Sequence, residues 1–175
     1  MSVNPSSFGK LEEIPVLKGL VILIGPPGAG KSTFAKRLIE QQRLDSSSYI
    51  SNDKIAKDLF GLTIDRGDKD SEIFAEQDRR IAAQLEAGKV AIVDATNVKP
   101  EARQRLINIA RRYPGLIAAL CFRRDKATLL KQNKGREVEV PEVMLMEYAK
   151  LMQQVNPEKL HDEGIELVID IPSNM

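Results

Sequence analysis

Residues 25–32 read Gly-Pro-Pro-Gly-Ala-Gly-Lys-Ser, which fits the pattern G-x-x-x-x-G-K-[ST] without a gap. The setting of this octet constrains the fold more than any other feature of the chain. Before it lies Leu20-Val21-Ile22-Leu23-Ile24, a continuous apolar run that reads as a strand buried on both faces. After it, over residues 32–42, Phe34, Ala35, Leu38 and Ile39 recur with helical spacing. Strand, glycine-rich loop and helix in this order make a phosphate cradle. Backbone N–H groups of the loop surround the anion, Gly28 and Gly30 supply φ > 0 and close approach, and the positive end of the helix faces the charge. The spacing predicts that Gly25, Pro26, Pro27, Gly28, Ala29, Gly30, Lys31, Ser32 and Thr33 hold ATP. In that arrangement Lys31 bridges the β- and γ-phosphates and the Ser32 hydroxyl ligates Mg²⁺.

The rest of the chain alternates strands and helices. Tyr49-Ile50 reads as a second strand, and a helix opening at Asp53 carries Ile55, Ala56, Leu59 and Phe60. Residues 61–70 are polar and read as a mobile loop. A helix over residues 71–87 places Phe74, Gln77, Ile81 and Leu85 on one stripe. Strands follow at residues 90–94 and 116–122, with a helix begun by Pro100 between them. Helices over residues 126–133 and 141–154 and a strand at residues 166–169 complete the pattern. No strand alternates polar with apolar, so the sheet is parallel and covered on both sides. The expected architecture is a three-layer α/β/α sandwich of about five strands, with functional residues at the strands' carboxyl ends.

Bulk properties narrow the function. A chain of 175 residues is one domain's worth. Its organisation reads as a flexible segment over residues 1–18 followed by a domain over residues 19–175. The 26 basic and 25 acidic residues nearly cancel, which argues against a coat for long duplex nucleic acid. One cysteine, Cys121, excludes an internal disulfide and suits a reducing compartment. No apolar run approaches the roughly 20 residues of a membrane span, and the amino terminus lacks a signal-peptide core, so a cytoplasmic location without membrane partners is expected. The methionines Met144, Met146 and Met152 read as core, and His161 is isolated from any metal-ligand spacing.

Two carboxylates stand where the phosphate cradle needs partners. Asp94 ends an apolar strand and is suited to hold Mg²⁺ through water, or else to cap the turn through Thr96 and Asn97. Asp53 follows the second strand and can face the γ-phosphate, where a carboxylate orients and deprotonates an attacking hydroxyl. Its competing role is helix N-cap, unless Ser51 or Asn52 takes that place.

Gly25 to Ala35, Ile50 to Asp53, Val93-Asp94-Ala95-Thr96-Asn97 with Pro100-Glu101-Ala102-Arg103, and Val140-Pro141 together resemble the polynucleotide 5′-kinases and the P-loop kinases related to them. The resemblance covers about residues 20–170. It implies a P-loop NTPase fold with a small helical lid, Asp53 as general base and Asp94 on the metal side. It also implies that Thr96 and Asn97 line the acceptor or phosphate site, and that residues 131–140 form the lid, with Arg136 closing over the transferring group. Two positions depart from the family. Ala56 replaces an arginine that grips an acceptor phosphate, leaving Lys54 and Lys57 beside it as candidates for that contact, and Gln132 precedes Asn133 where the lid often has arginine.

The implied activity is transfer of the ATP γ-phosphate to an acceptor with a free hydroxyl, catalysed by Lys31, Asp53 and Arg136. A nucleic-acid 5′ end is the first acceptor. A small metabolite, nucleoside or sugar is the second, favoured by near-neutral charge and by Ala56. A nucleotide-controlled binding protein is the third reading, although a pure switch has no need of an acceptor base such as Asp53.

Overall fold

The computed structural model describes residues 14–15, 17–61, 67–136 and 138–173. Most of the expected flexible segment and residues 62–66 of the expected loop lie outside them. The apolar runs form β1 (Leu20–Ile24), β2 (Tyr49–Ser51), β3 (Ala91–Asp94), β4 (Ile117–Cys121) and β5 (Leu167–Asp170). They pair in parallel in the order β2-β3-β1-β4-β5. Around them lie α1 (Lys31–Gln41), α2 (Asn52–Phe60), α3 (Asp70–Glu86), α4 (Pro100–Ala110), α5 (Lys126–Lys134), α6 (Glu142–Met152) and α7 (Pro157–Glu163).

Both faces of the sheet are covered, which is why every strand is apolar at both phases. Leu20, Ile22 and Ile24 of β1 pack with Ile55 of α2, Ile73 and Ile81 of α3, Leu106 of α4 and Leu160 of α7. Val21 and Leu23 pack on the opposite side with Phe34 and Leu38 of α1, Leu129 of α5 and Leu145 of α6. Each such buried aliphatic side chain contributes about 1.5–3 kcal/mol relative to exposure. This is the three-layer sandwich read from the sequence, and it belongs to the P-loop NTPase architecture.

Register decides what stands beside what. Ser51 pairs with Asp94, and Asp94 with Leu23, so β2, β3 and β1 end level with one another. Gly25 leaves β1 so close to β4 that a Cβ there would lie 2.9 Å from the Phe122 Cβ and 3.0 Å from its carbonyl oxygen. Only glycine passes that point. Phe122 in turn packs edge-on against Phe34 of α1, with ring centroids 5.4 Å apart.

Several expectations shift. Helix α2 begins at Asn52, because Ser51 is its N-cap and accepts from the Lys54 amide at 3.3 Å. On α3 the buried stripe is Ile73, Gln77, Ile81 and Leu85, whereas Phe74 is 39% exposed. Both phases fit a helical period, and contact with the sheet selected the β-branched residue. Met152 is buried as expected, but Met144 is 46% exposed. Helix α7 was absent from the expected elements; Pro157 at its first turn and the Asn156 cap, which accepts from the Lys159 amide at 2.9 Å, define it. No helix among the described residues is long and apolar enough to cross a membrane.

Arg103 of α4 holds α7 to the loop after β3. It is 2% exposed and forks onto Glu163 at 2.7 and 2.8 Å, while its third contact donates to the Asn97 carbonyl at 3.0 Å. Asn97 adopts a left-handed φ of 50° and donates its side-chain amide to the Leu23 carbonyl at 2.8 Å. Replacing Glu163 by Gln leaves a buried guanidinium short of countercharge and is expected to cost about 3 kcal/mol in urea unfolding. Arg79→Ala, which removes a largely exposed guanidinium from Glu76 and leaves Arg80 paired with it, is expected to change stability by under about 0.5 kcal/mol in the same measurement.

Candidate active site

At the carboxyl ends of β1, β2 and β3 opens a cleft of about 960 Å³. The phosphate loop forms one wall. Gly28 and Gly30 have φ of 80° and 93°, and α1 starts at Lys31 with no side-chain cap and no acid in its first turn. Its leading N–H groups are therefore available to an anion. The Lys31 ammonium is buried and donates to the Gly25 and Pro26 carbonyls, both at 2.8 Å. Burial lowers its pKa from 10.5 to about 8; Arg136 adds to the fall, and Asp94 and Asp53 oppose it.

The end of β3 supplies a carboxylate beside the phosphate loop. Asp94 is buried, and its Oδ2 accepts from the Ser32 hydroxyl at 2.6 Å and also from the Tyr49 hydroxyl. Burial and the Asp94 carboxylate raise the Tyr49 pKa well above the usual tyrosine range, so it stays a donor. Ser32 and Asp94 are adjacent hard oxygen groups beside the phosphate cradle, the donor set Mg²⁺ uses. Among the described residues no three His, Cys, Asp or Glu gather into a cage.

Asp53 lines the same cleft. With Ser51 as the cap of α2, the Asp53 carboxylate is exposed at the helix's first turn. Thr96 and Asn97 line the cleft as well, but their polar groups also hold the scaffold. The Thr96 carbonyl accepts from the Gly25 amide at 3.0 Å, and the Asn97 amide is engaged by Leu23. Arg136 lines the cleft as well. Of the residues expected to form a lid, 131–134 belong to α5, and the buried Asn133 clamps Val140. Its amide donates to the Val140 carbonyl at 2.8 Å and its oxygen accepts from the Val140 amide at 3.0 Å.

Lys54 and Lys57 do not join this group. Both are exposed on α2, outside the cleft lining, while Ala56 is buried in the core. Arg123 and Arg124 are also elsewhere: the first pairs with Asp170 at 3.4 Å, and the second donates to the Ile171 carbonyl at 2.8 Å. Burial pushes the Cys121 thiol up to about 12, so it is inert.

Sequence reasoning missed much of the remaining wall. Phe74 and Gln77 of α3, Arg105 of α4 and Met144 and Tyr148 of α6 all line the cleft. Gln77 carried a signal, because an amide in an apolar stripe must find buried partners. It donates to the Asn52 Oδ1 at 2.7 Å and accepts from Arg105.

A strand, a glycine-rich loop and a lysine-led helix, with a β3 acid held against the loop's serine, define a P-loop kinase. The family model described as an AAA domain, AAA_33, matches residues 20–155, and the chain belongs to that family. The adenylate kinase of Caulobacter sp. strain K31 is 28% identical over 153 residues, 78% of this chain and 80% of that protein. A shikimate kinase of Francisella tularensis subsp. novicida strain U112 is 35% identical over 95 residues, 49% of this chain and 51% of that protein. The chain thus spans about half the length of the shikimate kinase it matches. A chain of the Pnkp1/Rnl/Hen1 RNA repair complex superposes with a TM-score of 0.68 at 22% identity, over 81% of this chain and 46% of that one. At that identity the likeness is one of fold.

The lowered Lys31 pKa has a pH signature. A bound triphosphate stabilises the ammonium, so ATP binds the protonated form better. As pH rises through about 8 the free protein loses that proton, and ATP affinity is expected to fall with it, by up to about tenfold per unit. Calorimetric titration in buffers of different ionisation enthalpy should show proton uptake on binding above pH 8, and Lys31→Met should abolish it.

Proposed function

We propose that this kinase transfers the γ-phosphate of ATP to the hydroxyl of an acceptor, with chemistry like that of a polynucleotide 5′-kinase. The observation that carries this is the position of Asp53. Ser51 takes the capping role, and the Asp53 carboxylate lines the same cleft as Lys31, Ser32 and Asp94. In this reading Asp53 accepts the acceptor's hydroxyl proton and orients the oxygen toward phosphorus. The amides of Gly28, Gly30, Lys31, Ser32 and Thr33 and the Lys31 ammonium hold the phosphates in place. Mg²⁺, when held by Ser32 and on the Asp94 side, neutralises phosphate charge. Tyr49 keeps the Asp94 carboxylate oriented by its hydrogen bond. Arg136 meets the charge that builds on the transferring group, and the lid loop beside it excludes water.

A small-molecule acceptor is the second reading, and one observation favours it. The two lysines expected to grip a nucleic-acid phosphate stand outside the cleft, and Ala56 is packed in the core. The volume of about 960 Å³ suits a nucleotide with a small acceptor beside it.

Asp53→Asn is expected to keep nucleotide binding and to lower transfer from γ-labelled ATP by about 10²–10⁴-fold. A loss of only a few-fold would remove Asp53 from the base role. Arg136→Ala is expected to lower the transfer rate by about 10³-fold with ATP affinity little changed, because its partner charge develops in the transition state. Single-turnover rates and equilibrium titration with an ATP analogue separate the two effects.

A further inference from the structure

The acceptor side of the cleft contains a cation that none of the phosphate chemistry above uses. Arg105 lines the cleft with Asp53, Phe74 and Gln77. Its guanidinium lies 4.9 Å from the centroid of the Phe74 ring, which orients its plane. It donates through one terminal nitrogen to Gln77 Oε1 and through the other to Asp78 Oδ1. The buried Gln77 continues to Asn52 Oδ1 at 2.7 Å, and Asn52 directly precedes Asp53. A continuous polar wall thus runs from the residue beside the base to the guanidinium.

We propose that Arg105 is the anion-binding residue of the acceptor site, so that the acceptor is a hydroxyl compound carrying a phosphate or carboxylate group. This rests on the phosphotransfer reading, which places the acceptor hydroxyl at Asp53. An arginine has five N–H donors, and the bonds to Gln77 and Asp78 use two of them. The other three meet no protein acceptor among the described residues. A planar guanidinium already held by a ring and an amide is preorganised for the paired oxygens of a carboxylate or phosphate. Asp78 is the competitor, and it is a weak one. It is more exposed than Arg105 and is not part of the cleft lining, so the pair is of the solvent-screened kind that an incoming oxyanion displaces. Phe74, Met144 and Tyr148 supply apolar surface for the body of the molecule. A role as a mere staple between α3 and α4 would affect stability without creating any preference for charged acceptors.

The test compares acceptors that share a hydroxyl and differ in charge. With Mg²⁺ and β,γ-imido ATP bound to the full chain, three matched pairs are titrated by calorimetry: thymidine 3′-monophosphate and thymidine, D-gluconate and D-glucose, shikimate and its methyl ester. In at least one pair the anionic member is expected to bind ten-fold or more tightly than the neutral one. Which pair responds separates a phosphate from a carboxylate source. Arg105→Gln is expected to abolish that preference while leaving affinity for the nucleotide analogue unchanged. Asp78→Asn, which removes the competitor and retains Arg105, is expected to tighten the anionic member several-fold and leave the neutral one unchanged. Equal affinities within all three pairs, or a preference that survives Arg105→Gln, would overturn the proposal. If Arg105→Gln does not fold, Asp78→Asn decides, and unchanged anion affinity there counts against it. Because binding is read without turnover, a charge preference in a protein that transfers no label from ATP would leave the anion site standing and remove the phosphotransfer reading.

Discussion

The hydrogen bond from the Gly25 amide to the Thr96 carbonyl, 3.0 Å long, joins the phosphate loop to the loop that leaves β3. One residue further on, Asn97 ties the same loop to the Leu23 carbonyl, and Arg103 ties it through Glu163 to α7. The cleft depends on this junction. A phosphate cradle made of backbone amides works only if the backbone is already in place, because amides that must reorganise lose much of their electrostatic advantage. Parallel pairing brings the ends of β1, β2 and β3 level, and the junction holds the loops that emerge from them. The tight passage of Gly25 past Phe122 braces the opposite side.

Charge is arranged on that frame with little excess. Lys31 is buried against carbonyls, with Asp94 and Asp53 raising and Arg136 lowering its proton affinity. Asp94 is held by two hydroxyls, so its oxygens face the cradle in a defined orientation. In the proposed reading a triphosphate supplies negative charge opposite Lys31 and Arg136, and Mg²⁺ supplies positive charge opposite Asp94. Desolvation makes each of these pairings stronger than it would be in water. The cost is a lysine whose burial lowers its pKa to about 8.

The wall of the cleft opposite the phosphate loop, where the proposed reading puts the acceptor, follows a different logic. It is built from side chains on α2, α3, α4 and α6, and its polar members satisfy one another in a chain from Asn52 to Asp78. Such a wall can change its chemistry without disturbing the phosphate cradle, since the two share only the cleft. That separation is how one fold accommodates kinases with unlike acceptors, with the site rather than the fold setting the substrate. In this chain Ala56 of α2 is packed into the core, whereas Arg105 of α4 lines the cleft.

The sequence by itself determined the sandwich, the phosphate loop and the acids at the strand ends. These rest on local order: an apolar run, glycines at set offsets and a helical period each declare themselves within about ten residues. It also left a choice at Asp53 between cap and base, and the tertiary structure placed Ser51 on the Lys54 amide instead. Only the tertiary structure could rank Ile73 above Phe74 for burial, because both satisfy the period and the sheet accepts one. It alone moved Lys54 and Lys57 out of the cleft and brought Tyr49 to Asp94 and Arg105 to Gln77. Those partners are separated by 45 and 28 positions along the chain. Local pattern carries no information about which side chains meet across such distances. Strand register and helix packing decide it, and here they decided most of what lines the cleft beyond the phosphate loop.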